Sequence, residues 1–203
     1  MNNILLVTDG FLHPPLFGRR QLHRFFHSLP GYTFSHISSL DKLPGLNPQD
    51  FQGMVLYFHH KTISPTALQT LEAFVSRGIG LLGIHSATAS FKQSSLYFEI
   101  LGGRFTRHGA VTTFEVQPVG RENAPFMGLA GFRLRDELYL HELQPGVQVH
   151  FQSLYQGRGV PVVWTYRYGD GKVCYVAPGH TAGSMKHPVV QAILQRGLAW
   201  VSS

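Results

Sequence analysis

The sequence predicts an α/β fold: a mainly parallel central sheet covered by helices, with an antiparallel extension in its second half. Three observations carry this. Short apolar runs, Ile4-Leu5-Leu6-Val7, Met54-Val55-Leu56-Tyr57-Phe58 and Ile79 to Ile84, read as strands buried on both faces. Segments of helical periodicity separate them, which calls for crossover connections between parallel strands. Beyond residue 110 the pattern turns to alternation, and Asp170-Gly171 is a hairpin signal.

The elements follow in order. Ile4 to Val7 is the first strand, and Thr8-Asp9-Gly10 turns into a loop holding His13 and Pro14-Pro15. From Arg19 to Leu29, apolar Leu22, Phe25, Phe26 and Leu29 recur at helical spacing, and Pro30-Gly31 stop the helix. Tyr32 to Ile37 is a second strand and Asp41 to Gln52 a loop. The strand ending at Phe58 delivers His59-His60. Ser64-Pro65 then opens a helix as N-cap and first residue, and Gly78 closes it. Ile79 to Ile84 delivers His85. Ser94 to Leu101 is a short helix broken by Gly102-Gly103. Val111 to Gln117, Arg133 to Leu140, Val147 to Phe151, Val160 to Tyr166 and Lys172 to Ala177 read as strands, and His187 to Val201 as the last helix. No repeat, low-complexity tract or linker divides the chain, so one domain is expected over 1–203.

Composition narrows the class. The chain has 203 residues, 43% hydrophobic and 14% charged, which suits a packed core and argues against disorder. The formal charge of +6 comes from scattered basic residues, with no Lys/Arg stripe of the kind a nucleic-acid surface shows. That balance suits solubility or an anionic substrate. The single cysteine, Cys174, lies in a strand-like run and reads as a buried thiol rather than a nucleophile. No internal disulfide can form, and no apolar run is long enough to span a bilayer. Ile4 to Val7 is too short for a signal peptide. A soluble cytoplasmic protein is therefore expected.

Several stretches carry chemistry. Gly78-Ile79-Gly80-Leu81-Leu82-Gly83 spells the dinucleotide fingerprint, but it runs from a helix into a strand, the reverse of what phosphate binding needs; no nucleotide cofactor is expected. Gly83-Ile84-His85-Ser86-Ala87 sits where α/β enzymes place a sharp strand-to-helix elbow. His85 there suits a general base or a metal ligand, and Ser86 a weak nucleophile or substrate contact. The glycine-led loop Gly102 to Arg107 ends in His108. In Arg135-Asp136-Glu137-Leu138-Tyr139, alternation sends Glu137 and Tyr139 to one face, and Asp136 and Leu138 to the other. Pro178-Gly179-His180-Thr181 follows the last strand and precedes a small-residue loop. Two strand-end histidines converge if their strands run parallel, and His59-His60 share that edge. His141 and His150 have no such context, and Trp164 and Trp200 read as core aromatics.

Six segments resemble, in order, the trehalose-utilisation (ThuA-like) proteins. They are Gly83-Ile84-His85-Ser86-Ala87, Leu101 to His108, Asp136 to Tyr139, Pro161 to Trp164, Tyr168 to Val173, and Gly179-His180. The resemblance spans nearly the whole chain. It implies a class I glutamine-amidotransferase-like domain, a flavodoxin-like three-layer α/β/α sandwich, and a role in the metabolism of trehalose or a related disaccharide. The amidotransferase elbow cysteine is His85 here, and the glutamate two residues beyond the late histidine is Ala182. Glutaminase chemistry is therefore excluded by residue type. Two departures from the ThuA-like pattern stand out: the usual His-Pro reads Asn123-Ala124-Pro125, and the tryptophan before the Gly-Gly loop is absent near Tyr97-Phe98.

These readings place a pocket at the carboxyl edge of the parallel strands. His85, Glu137 and His180 are the candidate catalytic residues, and Ser86, His108 and Tyr139 the candidate substrate contacts. His85, His108 and His180 are the candidate ligands of a divalent metal such as zinc. The same groups could act without metal as acid and base on a sugar or keto-sugar. The rival is a non-catalytic sugar-binding or regulatory domain on the same fold. The expected partner is a small sugar or sugar derivative, with no nucleic acid and no membrane; self-association into a homo-oligomer is left open.

Overall fold

The computed structural model describes residues 1–9, 16–120 and 124–203. The expected turn at Gly10, the loop with His13 and Pro14-Pro15, and Asn123 lie outside the described residues.

Five strands form the parallel part of the sheet: β1 (Asn2–Thr8), β2 (Tyr32–Ile37), β3 (Gly53–Tyr57), β4 (Gly80–Ile84) and β11 (Gly171–Val176). The antiparallel extension is β10 (Arg158–Tyr168), β9 (Gln148–Tyr155), β6 (Thr112–Pro118) and β7 (Phe132–Asp136). The nine strands run in the order β2-β1-β3-β4-β11-β10-β9-β6-β7. A separate two-stranded ribbon pairs β5 (Gly103–His108) with β8 (Tyr139–Leu143).

Alternation along the buried strands feeds two cores, as a three-layer sandwich requires. Ile4, Leu6, Val55, Leu82, Ile84 and Val176 pack on one side with α1 (Leu16–His27) and α5 (Pro188–Val201). Leu5, Val7, Met54, Leu56, Leu81 and Val173 pack on the other with α2 (Pro65–Ser76) and α3 (Ser95–Leu101). Ser64 caps α2 by accepting from the Ala67 amide, and Pro65 fills the first turn, as the sequence predicts. Gly80 lets the end of α5 lie on the sheet: a Cβ there would come within 1.9 Å of the Val201 carbonyl oxygen. Cys174 is fully buried, and burial pushes its thiol well above the usual range, so it is a core residue. Among the described residues no helix is long and apolar enough to cross a membrane.

The structure corrects four local expectations. Part of Asp41–Gln52 is wound into 3-10 turns at Leu40–Gly45 and Pro48–Asp50. The glycine-led loop is strand β5, because Gly102, at φ +72°, caps α3 in the left-handed region and turns the chain straight into extended backbone. The small-residue loop after His180 begins a short helix, α4 (Ala182–Lys186), closed at its start by a Thr181–Ser184 capping box. Arg133 to Leu140 is two strands, since β7 ends at Asp136 and β8 starts at Tyr139. The break at Glu137-Leu138 shapes the site.

His150 illustrates a histidine retained for packing. It is fully buried on β9, 2.7 Å from the Thr165 hydroxyl and edge-on to Phe126. Burial lowers its pKa to about 4. The unfolded chain, with an ordinary histidine pKa near 6.5, binds the proton first as pH falls. Stability is therefore full above about pH 6.5 and is lost toward pH 4, by roughly 3 kcal/mol from this residue. Urea unfolding at pH 7 and pH 4 should show that His150→Gln loses less stability between the two than the unsubstituted chain.

Candidate functional site

Adjacent parallel strands bring the site together. β4 and β11 are in register with Ile84 beside Val176, so the residues that leave them, His85 and Ala177, are neighbours. The His85 Nδ1 lies 2.9 Å from the Ala177 carbonyl oxygen. A carbonyl only accepts, so Nδ1 carries a proton and Nε2 is the ring nitrogen turned toward Glu137. His85 itself is strained, at φ +46°, and starts a single 3-10 turn over His85–Ala87. A non-glycine residue held there costs roughly 1–3 kcal/mol and persists only where its surroundings enforce it.

Those surroundings are buried tyrosines, two from the sheet and one from α3. Tyr175 donates to the His85 carbonyl at 2.7 Å, Tyr97 to the Ala87 carbonyl at 2.9 Å, and Tyr57 to the Gly179 carbonyl at 2.6 Å. All three are fully buried. Thr88 ties in through contacts of 2.9 Å to the Tyr175 hydroxyl and 3.0 Å to His141 Nε2. His141, which the sequence leaves without a role, belongs to this framework. Burial, with His85 next, lowers its pKa to about 3, so it is neutral.

Asp136 is the structural residue that sequence reasoning misses. It is fully buried, and its carboxylate accepts from the Glu137 amide at 2.8 Å, the Gly179 amide at 2.8 Å and the His180 amide at 3.1 Å. It thereby pins the loop after β11 to the end of β7. Strict alternation would put Asp136 and Glu137 on opposite faces. Because the strand ends between them, both carboxylates reach the Gly179-His180 loop.

Glu137 stands at the centre. Its Oε2 is 3.2 Å from His180 Nδ1 and 3.6 Å from His85 Nε2, and its Oε1 is 3.6 Å from His108 Nδ1. Burial would raise its pKa, but the hydrogen-bonding His85 and the charges of His180 and His108 outweigh that and hold it below the usual value. Burial lowers the pKa of His180, with Glu137 pulling the other way. Glu137 is therefore held as a carboxylate and burial biases His180 toward its neutral form, the states in which such groups bind a metal.

One donor atom from each of His85, Glu137 and His180 falls within a 4.8 Å group. Ligands about 2.1 Å from a tetrahedral ion are roughly 3.4 Å apart, and the 3.2 and 3.6 Å contacts to Oε2 bracket that spacing. His85 is held by the Ala177 carbonyl in the way a bound imidazole is oriented by its outer neighbour. His108 stands across the carboxylate. It is more exposed, at 40%, and its Nδ1 is 2.8 Å from the Gly109 carbonyl oxygen, which leaves Nε2 as a base. Tyr139 stacks on His108 and lies with its ring 4.2 Å from that of His85. Burial raises its phenol pKa, so it serves as a neutral donor. Ser86 is fully buried beside His85, and its hydroxyl has no hydrogen-bond partner among the described residues. A cavity of about 300 Å³ lined by His59, His60, Phe91 and Lys92 adjoins this edge.

The family profile described as trehalose utilisation (ThuA) matches residues 33–201. The fold is similar to that of a ThuA-like protein from Parabacteroides merdae, with a TM-score of 0.86 at 16% identity, over 100% of this chain and 90% of that one. It is also similar to a ThuA-like protein from Bacteroides uniformis, with a TM-score of 0.82 at 17% identity, over 98% and 90%. A cytoplasmic protein of Salmonella typhimurium LT2 follows at TM-score 0.70 and 13% identity, over 98% and 99%. No curated protein matches the chain by sequence.

Proposed function

The chain belongs to the ThuA, trehalose-utilisation family, and on that premise we propose that it is an enzyme acting on a sugar or keto-sugar at the His85–Glu137–His180 cluster. The observation that carries this reading is that two imidazole nitrogens and one carboxylate oxygen, from three separate segments of the chain, all lie within 4.8 Å of one another. With its Nδ1 proton committed to Ala177, His85 directs Nε2 at a carboxylate oxygen of Glu137 3.6 Å away. Nε2 and the carboxylate oxygen together call for a positive charge, either a proton on Nε2 or a cation between them.

A divalent cation answers that need. His85, Glu137 and His180 would hold it, and two histidines with one carboxylate are a familiar set for zinc or ferrous iron. When bound, such an ion supplies Lewis-acid polarisation of a carbonyl or binding of adjacent hydroxyls. The residues around it do the rest. His85 is the fixed floor of the site, fully buried, while His180 and His108 border the solvent side. His108 takes a proton from the sugar through Nε2 and returns it, and Tyr139 donates a hydrogen bond to a sugar oxygen. The absence of an elbow cysteine removes covalent thiol chemistry from the choices.

Elemental analysis of protein purified without a histidine tag tests the metal reading. About one equivalent of a divalent metal is expected, lost in His85→Ala. Sub-stoichiometric metal that His85→Ala leaves unchanged would remove it and leave metal-free acid–base chemistry. Calorimetry with trehalose, sucrose and their 3-keto derivatives tests catalysis. Binding without turnover, in the presence of added zinc or manganese, would assign the protein instead as a sugar-binding or regulatory domain.

A further inference from the structure

A second cavity lies where the β5–β8 ribbon meets the β9–β10 hairpin. It measures about 430 Å³, within the range of small-molecule sites. Arg107 of β5 and Arg158 of β10 flank it, Tyr155 and Gln156 line it from the hairpin turn, and His141 of β8 closes it on the inside. None of the residues lining it is acidic. Among the described residues, neither guanidinium forms an ion pair with a carboxylate.

The inner wall has an unmet polar demand. His141 Nε2 faces the Thr88 hydroxyl at 3.0 Å, while its Nδ1 is buried with no hydrogen-bond partner among the described residues. Thr88 directs its own proton toward Tyr175, at 2.9 Å, and Tyr175 donates to the His85 carbonyl. In that sense of donation His141 gives its Nε2 proton to Thr88, and Nδ1 is left as an acceptor. The cavity offers guanidinium donors for an anion, with the exposed Gln156 amide and Tyr155 phenol beside them as partners for a hydroxyl.

We propose that this cavity binds a small oxyanion carrying a neighbouring hydroxyl, the chemistry shared by sugar phosphates and sugar acids. Arg107 and Arg158 take the charged group, and Gln156 and Tyr155 take the hydroxyl. The site is separate from the His85–Glu137–His180 cluster and does not depend on what that cluster holds. Its inner wall joins that cluster through Thr88 and Tyr175, which support the His85 backbone.

Calorimetric titration of the full chain at fixed ionic strength tests the proposal. The probes are glucose 6-phosphate, gluconate, inorganic phosphate and glucose. Saturable binding of glucose 6-phosphate or gluconate is expected, and the better of the two identifies the charged group. Inorganic phosphate should bind more weakly, and glucose not measurably. The double substitution Arg107→Gln/Arg158→Gln, on exposed side chains, should weaken binding about tenfold or more while leaving the circular dichroism unchanged. His85→Ala should leave it intact. Equal binding of glucose, or loss in His85→Ala with retention in the arginine double variant, would overturn the proposal, as would no saturable binding of either hydroxylated anion.

Discussion

Asp136→Ala is expected to lower the melting temperature by roughly 10 °C and to abolish metal retention. The carboxylate is fully buried and serves three backbone amides, those of Glu137, Gly179 and His180. Hydrogen bonds to a charged acceptor contribute about 1.5–3 kcal/mol each, and amides left buried without a partner add a desolvation cost. Since the three share one acceptor, the sum is not additive, and a loss of about 3–5 kcal/mol is the fair expectation. Asp136→Asn separates the two effects. It keeps the volume and one accepting oxygen, so the fold should survive while the Gly179-His180 loop loses its anchor. Thermal melts and metal analysis of both variants read this out. A melting temperature within about 2 °C of the starting chain in Asp136→Ala would show that the loop is held by other contacts.

Glu137→Gln is expected to weaken divalent-metal affinity about a hundredfold or more while changing stability by less than about 1 kcal/mol. The substitution keeps the shape and removes the one negative charge that two imidazole nitrogens face at 3.2 and 3.6 Å. His108→Ala is the contrast. His108 faces the other carboxylate oxygen and lies outside the three-donor group, so its loss should spare the metal and depress turnover. Competition against a chelating dye gives the affinities. Metal bound equally by Glu137→Gln and the starting chain would place the ion elsewhere or remove it from the reading.

Much of this site is legible along the chain because strands make it so. The apolar run to Ile84 and the run to Ala177 are each recognisable as buried strands, and a histidine close behind each is visible by inspection. That the two strands are adjacent and parallel is only an expectation until the sheet order β3-β4-β11 is known. Glu137 is visible as one of two carboxylates in a strand-like segment, but its orientation is not, because alternation fails where β7 ends. Asp136 gives no local signal: a buried aspartate serving amides more than forty residues away looks, in sequence, like a solvated strand residue. The tyrosines under the elbow are disguised in the same way, since Tyr57, Tyr97 and Tyr175 satisfy the apolar pattern with their rings and reveal the hydroxyl's purpose only through its partner.

What the amino-acid order determined is the layering: which runs are buried on two faces, where helices start at Ser64 and Ser94, and which residues stand just past the strand ends. These follow from short-range rules, the periods of helix and strand and the chemistry of caps. What only the tertiary structure decided is which carboxylate does which work. Two adjacent acids, Asp136 and Glu137, are alike in charge and chemistry, and one holds a loop while the other faces three histidines. That division depends on where a strand stops and on amides brought in from the far end of the chain, and no local rule contains either.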